Sequence, residues 1–128
     1  MPITYTYDPD AKIILEHPNG IVSLEDIAEY FENVWNDSEI PVGVIDIVPF
    51  HEVEDFSMKQ EDTWKVQEVM NKWKSKKKYS VIIFVANTPF HQGMARMFQS
   101  IIEGTETATT HIVESNDDAF NLAKSILQ

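Results

Sequence analysis

The chain contains no cysteine, which excludes disulfides, thiolate metal sites and a cysteine nucleophile. It has a single arginine, Arg96, and only four glycines in 128 residues. Few glycines together with an 11% aromatic share argue against disorder. No long hydrophobic run is present: the longest apolar stretch, VIIFVA at 81–86, is far too short to cross a bilayer. The opening MPITYTYDPD lacks the basic segment and apolar core of a signal peptide. The expectation is a soluble, cytoplasmic protein. No nucleophile elbow, phosphate-binding glycine loop, dinucleotide fingerprint or HExxH helix occurs. The four histidines, at 17, 51, 91 and 111, lack the paired spacing of metal ligands. Neither a cofactor nor a metal is expected.

Positive charge is the other scarcity. Ten bases stand against twenty-one acids, for a formal net charge of -11. Such a body repels nucleic acid, whose binding depends on phosphate neutralisation. Five of the bases, Lys72, Lys74, Lys76, Lys77 and Lys78, cluster in NKWKSKKKY at 71–79, leaving five bases against twenty-one acids elsewhere. That cluster is a small positive pole on a negative body.

What is present reads as one domain over 1–128, with 43% hydrophobic residues to build a core. ITYTY (3–7) and AKIILEH (11–17) read as strands joined by the turn residues Asp8, Pro9 and Asp10. Ser23 caps a helix whose stripe is Leu24, Ile27, Ala28, Phe31, Val34 and Trp35, with Asp26 in its first turn. VGVIDIV (42–48) is a continuous β-branched run, as in a strand buried on both faces. After an irregular acidic stretch, Ser57 and Gln60 form a capping-box pattern opening a second helix with Met58, Val66, Val69, Met70 and Trp73. SVIIFVA (80–86) is the next buried strand. Thr88-Pro89 opens a third helix carrying Phe90, Met94, Met97, Phe98, Ile101 and Ile102, closed by Gly104. ATTHIVE (108–114) is a last strand, and Ser115 caps a last helix. The order ββαβαβαβα implies an α/β fold: a single mixed, mainly parallel sheet with flanking helices.

Ligands of open α/β sheets sit beyond the carboxyl ends of the strands. That edge gathers Asp46, Phe50, His51, Asn87, Thr88, His91, Glu114 and Ser115. Asp46, His51 and His91 form a conceivable acid–base group, but ordinary loop polarity is the preferred explanation, and no catalytic residue is assigned. Ser57 is both a natural N-cap and a candidate phosphosite at a helix start. Trp64, nine positions from Trp73, faces away from its helix's stripe and marks a contact surface. The lysine cluster suits a helix C-terminus; with Trp64 it also suits transient docking on anionic headgroups. Arg96, opposite its stripe, is expected to be solvated. Gly93 weakens the start of the third helix.

Over its whole length, and most visibly in GIVSLEDI, VIDIV, GMARMF and DDAFNLAKSI, the chain resembles the SpoIIAA-like family of small bacterial proteins. The resemblance implies the fold shared by STAS domains and by CRAL-TRIO (Sec14-type) lipid carriers. From the STAS side it implies a regulatory protein acting through a protein partner, switched by phosphorylation in a motif close to Asp-Ser-Ser-Gly. The counterpart here, Asp55-Phe56-Ser57-Met58, departs from that motif at two positions. From the carrier side it implies a nonpolar ligand or lipid between the sheet and the second and third helices, lined by Val66, Met70, Trp73, Met94, Met97, Phe98 and Ile101. The leading expectation is therefore a non-catalytic binding module for a nonpolar molecule, with at most peripheral membrane contact through Trp64 and the lysines. The alternative is the STAS-like regulator. Monomer and dimer are both open.

Overall fold

The computed structural model describes residues 3–57, 63–73, 79–105 and 108–127. Its main sheet begins with a hairpin of β1 (Ile3–Asp8) and β2 (Ile13–Pro18), antiparallel, with Tyr5 opposite Glu16 and Tyr7 opposite Ile14. The turn between them is built by Asp8, whose Oδ1 accepts the N–H groups of Asp10 at 3.0 Å and Ala11 at 3.2 Å. Strands β4 (Val44–Pro49), β6 (Tyr79–Val85) and β7 (Thr109–Val113) then add in parallel, giving the order β1-β2-β4-β6-β7. The mixed, mainly parallel sheet is the one the sequence pattern predicts.

Two further strands are not. β3 (Gly20–Ser23) and β5 (Val53–Ser57) pair in parallel as a separate two-stranded sheet. The acidic stretch that reads as irregular is thus partly strand. Only Val53 and Phe56 of β5 turn inward, too few for a periodicity signal. Ser57 ends β5, paired with Ser23, and the described part of α2 spans Thr63–Trp73. Gln60 and Met58 lie outside the described residues.

The other helix starts follow their sequence signals. In α1 (Leu24–Asn36), Ser23 Oγ accepts the Asp26 N–H at 3.2 Å while the Asp26 carboxylate accepts the Ser23 N–H at 2.8 Å, a reciprocal capping box. In α3 (Pro89–Thr105), Thr88 Oγ1 accepts the His91 N–H at 3.2 Å. In α4 (Asn116–Leu127), Ser115 Oγ accepts the Asp118 N–H at 3.1 Å. Each cap satisfies a donor that helix geometry leaves orphaned.

Strand alternation divides the core. Ile13, Ile45, Ile47, Val81, Ile83 and Val85 point to one face, covered by α4 through Ala119 and Ala123, both fully buried. Ile14, Val44, Val48, Ile82 and Phe84 point to the other, where α1, α2, α3 and the small sheet pack. All six residues of β4 are buried. Two carboxylic acids nevertheless sit in this interior: Glu16 on β2 and Asp46 on β4. Among the described residues no helix is long and apolar enough to cross a membrane.

Replacing Ser23 by alanine removes one half of the α1 capping box and is expected to cost about 1 kcal/mol. Urea denaturation should show a lower midpoint with an unchanged slope.

Candidate functional site

The multi-helix face of the sheet encloses a cavity of about 60 Å³. Its floor is Glu16 and Pro18 of β2, Asp46 and Val48 of β4, and Ile82 and Phe84 of β6. Helix α1 contributes Ile27, Tyr30 and Phe31; α2 contributes Met70; α3 contributes Phe98 and Ile102. Phe50, with Val22 and Phe56 from the small sheet, completes the wall. One side is a ring cluster in which Phe56 and Phe98 lie edge-to-face at 5.0 Å and Phe50 meets Phe84 at 5.5 Å. On the other side Tyr30 meets Tyr5 at 5.7 Å, again edge-to-face. Such offset contacts are the favoured geometry of aromatic quadrupoles.

The polar part of the cavity is small and entirely acidic or phenolic. Ile14 is paired with Asp46 across the β2–β4 ladder, so Glu16, two residues along the same face, stands diagonally beside Asp46. The Tyr30 hydroxyl donates to Asp46 Oδ2 at 2.9 Å. Asp46 Oδ1 is buried and receives no O–H or N–H donor from any described residue. The Asp46 charge faces Glu16, and each acid bears on the proton affinity of the other.

Burial raises the proton affinity of both acids. Loss of hydration pushes Glu16 well above the usual carboxylate range, and the Asp46 charge adds to this, with the hydrogen bond to Tyr30 acting the other way. Burial pushes Asp46 up to about 6, against the lowering influence of its bonds to Glu16 and Tyr30. Both shifts are the response of an ionisable group in a dry site. Nearby, burial and the bond from its own hydroxyl to Asp37 Oδ2, 3.0 Å long, push Tyr5 up to about 12.

Of the residues the sequence suggests for an apolar pocket, Met70 and Phe98 line this cavity. Ile101 is buried in the surrounding core, and Met94 and Met97 are half-buried against it. Val66 and Trp73 belong to α2, but their side chains lie outside the described residues. Helix α1, which the sequence reading leaves out, supplies a wall and the key hydroxyl. Glu16 is the polar wall residue that the sequence reading misses. A glutamate within IILEHP was the available signal, since its alternation partner Ile14 faces the core.

Asp46 does not join the histidines at the strand ends. His91 Nε2 lies 2.8 Å from the Val53 carbonyl and its Nδ1 lies 3.1 Å from Thr88 Oγ1. Nε2 must donate to the carbonyl, so Nδ1 accepts from threonine when the ring is neutral. His51 is exposed, 3.8 Å from the Glu52 carboxylate. The strand ends do form an open groove of about 290 Å³, where His51, Asn87, Glu114 and Ser115 come together. Elsewhere, Trp64 is 57% exposed, with the Lys65 ammonium 5.8 Å from its ring centre. Lys72 and Arg96 are exposed, whereas Lys74, Lys76, Lys77 and Lys78 lie outside the described residues.

The buried pair makes stability depend on pH with a definite sign. Both carboxyls bind protons more tightly in the folded chain than in the unfolded one. Their contribution is complete below about pH 4 and is lost as pH rises through about 6 for Asp46 and the raised range of Glu16. Asp46→Asn should therefore gain on the native chain between pH 4 and pH 8, by on the order of 3 kcal/mol at most. Unfolding free energies measured by urea across that range would check it. Tyr30→Phe, which strips Asp46 Oδ2 of its donor, is expected to lose about 1–3 kcal/mol in the same assay.

No protein-family model matches the chain, and no curated protein matches it in sequence. Among solved structures it is similar to an uncharacterised protein of the DUF3478 family from Shewanella loihica PV-4, which has a SpoIIAA-like fold. The two share 13% sequence identity at a TM-score of 0.63, over 94% of this chain and 91% of that one. The chain thus has a SpoIIAA-like fold, and at that identity the likeness concerns the fold alone.

Proposed function

We propose that this protein is a non-catalytic module that binds a nonpolar small molecule on the multi-helix face of its sheet. The observation that carries the reading is the cavity itself: about 60 Å³ of space walled by aromatic and aliphatic side chains, in an interior otherwise closed on both faces. Native cores are packed with few voids larger than a water molecule. A space of this size, bounded by Phe50, Phe56, Phe98 and Met70, leaves packing energy unrealised until something fills it. It takes a group of a few heavy atoms, well short of the several hundred Å³ around a drug-sized ligand. A lipid chain would need α2 and α3 to move outward from the sheet, and Met70 and Phe98 are the side chains that movement would displace.

A second reading rests on the surface of α2. Exposed Trp64 beside Lys65 and Lys72 presents an aromatic, basic patch on an acidic protein. Tryptophan at such a site suits a protein partner, as in a regulator that works by association, with Ser57 exposed at the end of β5 as its candidate phosphosite. The same patch suits brief contact with an anionic membrane surface.

Native mass spectrometry of protein purified without detergent, followed by organic extraction, separates these readings. The expected result is a discrete added mass that extracts as an apolar molecule. A clean ligand-free mass, unchanged after incubation with small apolar probes, would overturn the binding reading in favour of the surface one.

A further inference from the structure

We propose that the occupant of the cavity is an apolar amine, its ammonium group seated between Glu16 and Asp46 and its hydrocarbon body against the phenylalanine cluster. The inference rests on the reading that the cavity holds a ligand, and goes further by fixing the ligand's polar end.

The argument starts from unmet hydrogen-bonding capacity. Asp46 is 1% exposed, lines the cavity, and has one oxygen bonded by Tyr30 and the other without an O–H or N–H donor. Glu16, 6% exposed, lines the same cavity. Ionised carboxylates only accept, so the partner that completes this site must donate. An ammonium group brings three donors and the positive charge that a buried pair of acids lacks. The remaining walls present aromatic rings, whose faces also attract cations.

Competing head groups fit less well. A carboxylate or phosphate would place a third anion beside two acids, in a chain of net charge -11 that already repels anions at long range. Calcium or magnesium wants six or more oxygen ligands, and zinc three or four histidine, cysteine or carboxylate ligands. Among the described residues no group of three histidine, aspartate or glutamate side chains is placed to hold a metal ion, and the rest of the wall here is hydrocarbon. A neutral alcohol can donate once, leaving the charge uncompensated.

The proton balance is explicit. Burial raises the proton affinity of both acids; an ammonium pairs with their ionised forms, so its binding displaces bound proton to solvent. Affinity for an amine should consequently rise with pH until the amine itself loses its charge. Every element around the pair is accounted for in this linkage. Tyr5, from β1, stands opposite Glu16 with its hydroxyl on Asp37. Tyr30 comes from α1, while Ile82 of β6, Met70 of α2, and Phe98 and Ile102 of α3 carry no charge.

The test is an NMR titration of the whole chain with three probes of equal length: n-butylamine, 1-butanol and butyrate. Butylamine is expected to shift the amide resonances of Glu16, Tyr30 and Asp46 with at least about tenfold higher affinity than butanol, and butyrate to shift none of them. Lowering the pH from 8 to 5 should weaken the amine and leave butanol unchanged. Glu16→Gln and Asp46→Asn should each abolish the preference for amine, with retained butanol binding showing that the cavity is intact. Equal binding of all three probes would overturn the amine proposal while leaving the apolar-ligand reading in place. Absence of any cavity shift with every probe would overturn both.

Discussion

The molecule is arranged around a sheet whose central strand, β4, has no solvent face. Once all six residues of β4 are inaccessible, each face needs its own cover, and the alternation of one strand dictates two distinct cores. One cover is economical: α4 approaches on two alanines and seals Ile45, Ile47, Ile83 and their neighbours. The other is built from three helices and a two-stranded sheet, layers with different axes that must meet above the same strands. A flat cover can be made tight more easily than a composite one, and the cavity lies under the composite one.

The carboxyl pair gains its meaning from that asymmetry. Burying an acid in hydrocarbon is costly unless it is neutralised or hydrogen-bonded. Here the Tyr30 hydroxyl serves Asp46, and burial raises the proton affinity of both acids. A leucine at either position would fill space and remove the penalty, as replacement of buried polar groups by hydrocarbon often does. The sheet instead keeps its two interior acids on neighbouring strands, at the floor of its own void. Stability is being spent at the place where a ligand would recover it.

The order of elements was largely legible because capping chemistry is local. Ser23 with Asp26, Thr88 before Pro89, and Ser115 each announce a helix within four residues. The β-branched runs of β4 and β6 announce buried strands in the same way. The small sheet was not legible, since β3 and β5 meet only after the intervening α1 and β4 have been laid down, and each turns few side chains inward. Ser57 takes part in that pairing, opposite Ser23 at the end of β5. The candidate site was half legible. Met70 and Phe98 follow from helical stripes, and Asp46 stood out in its apolar run. That Glu16 is its neighbour follows only from the parallel register of β2 on β4, and that Tyr30 meets them follows only from how α1 lies across the sheet.

The same register has a kinetic side. The β1–β2 hairpin that carries Glu16 closes through a short turn, so its loop-closure cost is small. Asp46 and Tyr30 reach it only through non-local closure, the slow part of assembling a parallel sheet. At neutral pH the acid pair enters the fold with more bound protons than the unfolded chain carries. Folding at neutral pH is therefore coupled to proton uptake at Glu16 and Asp46.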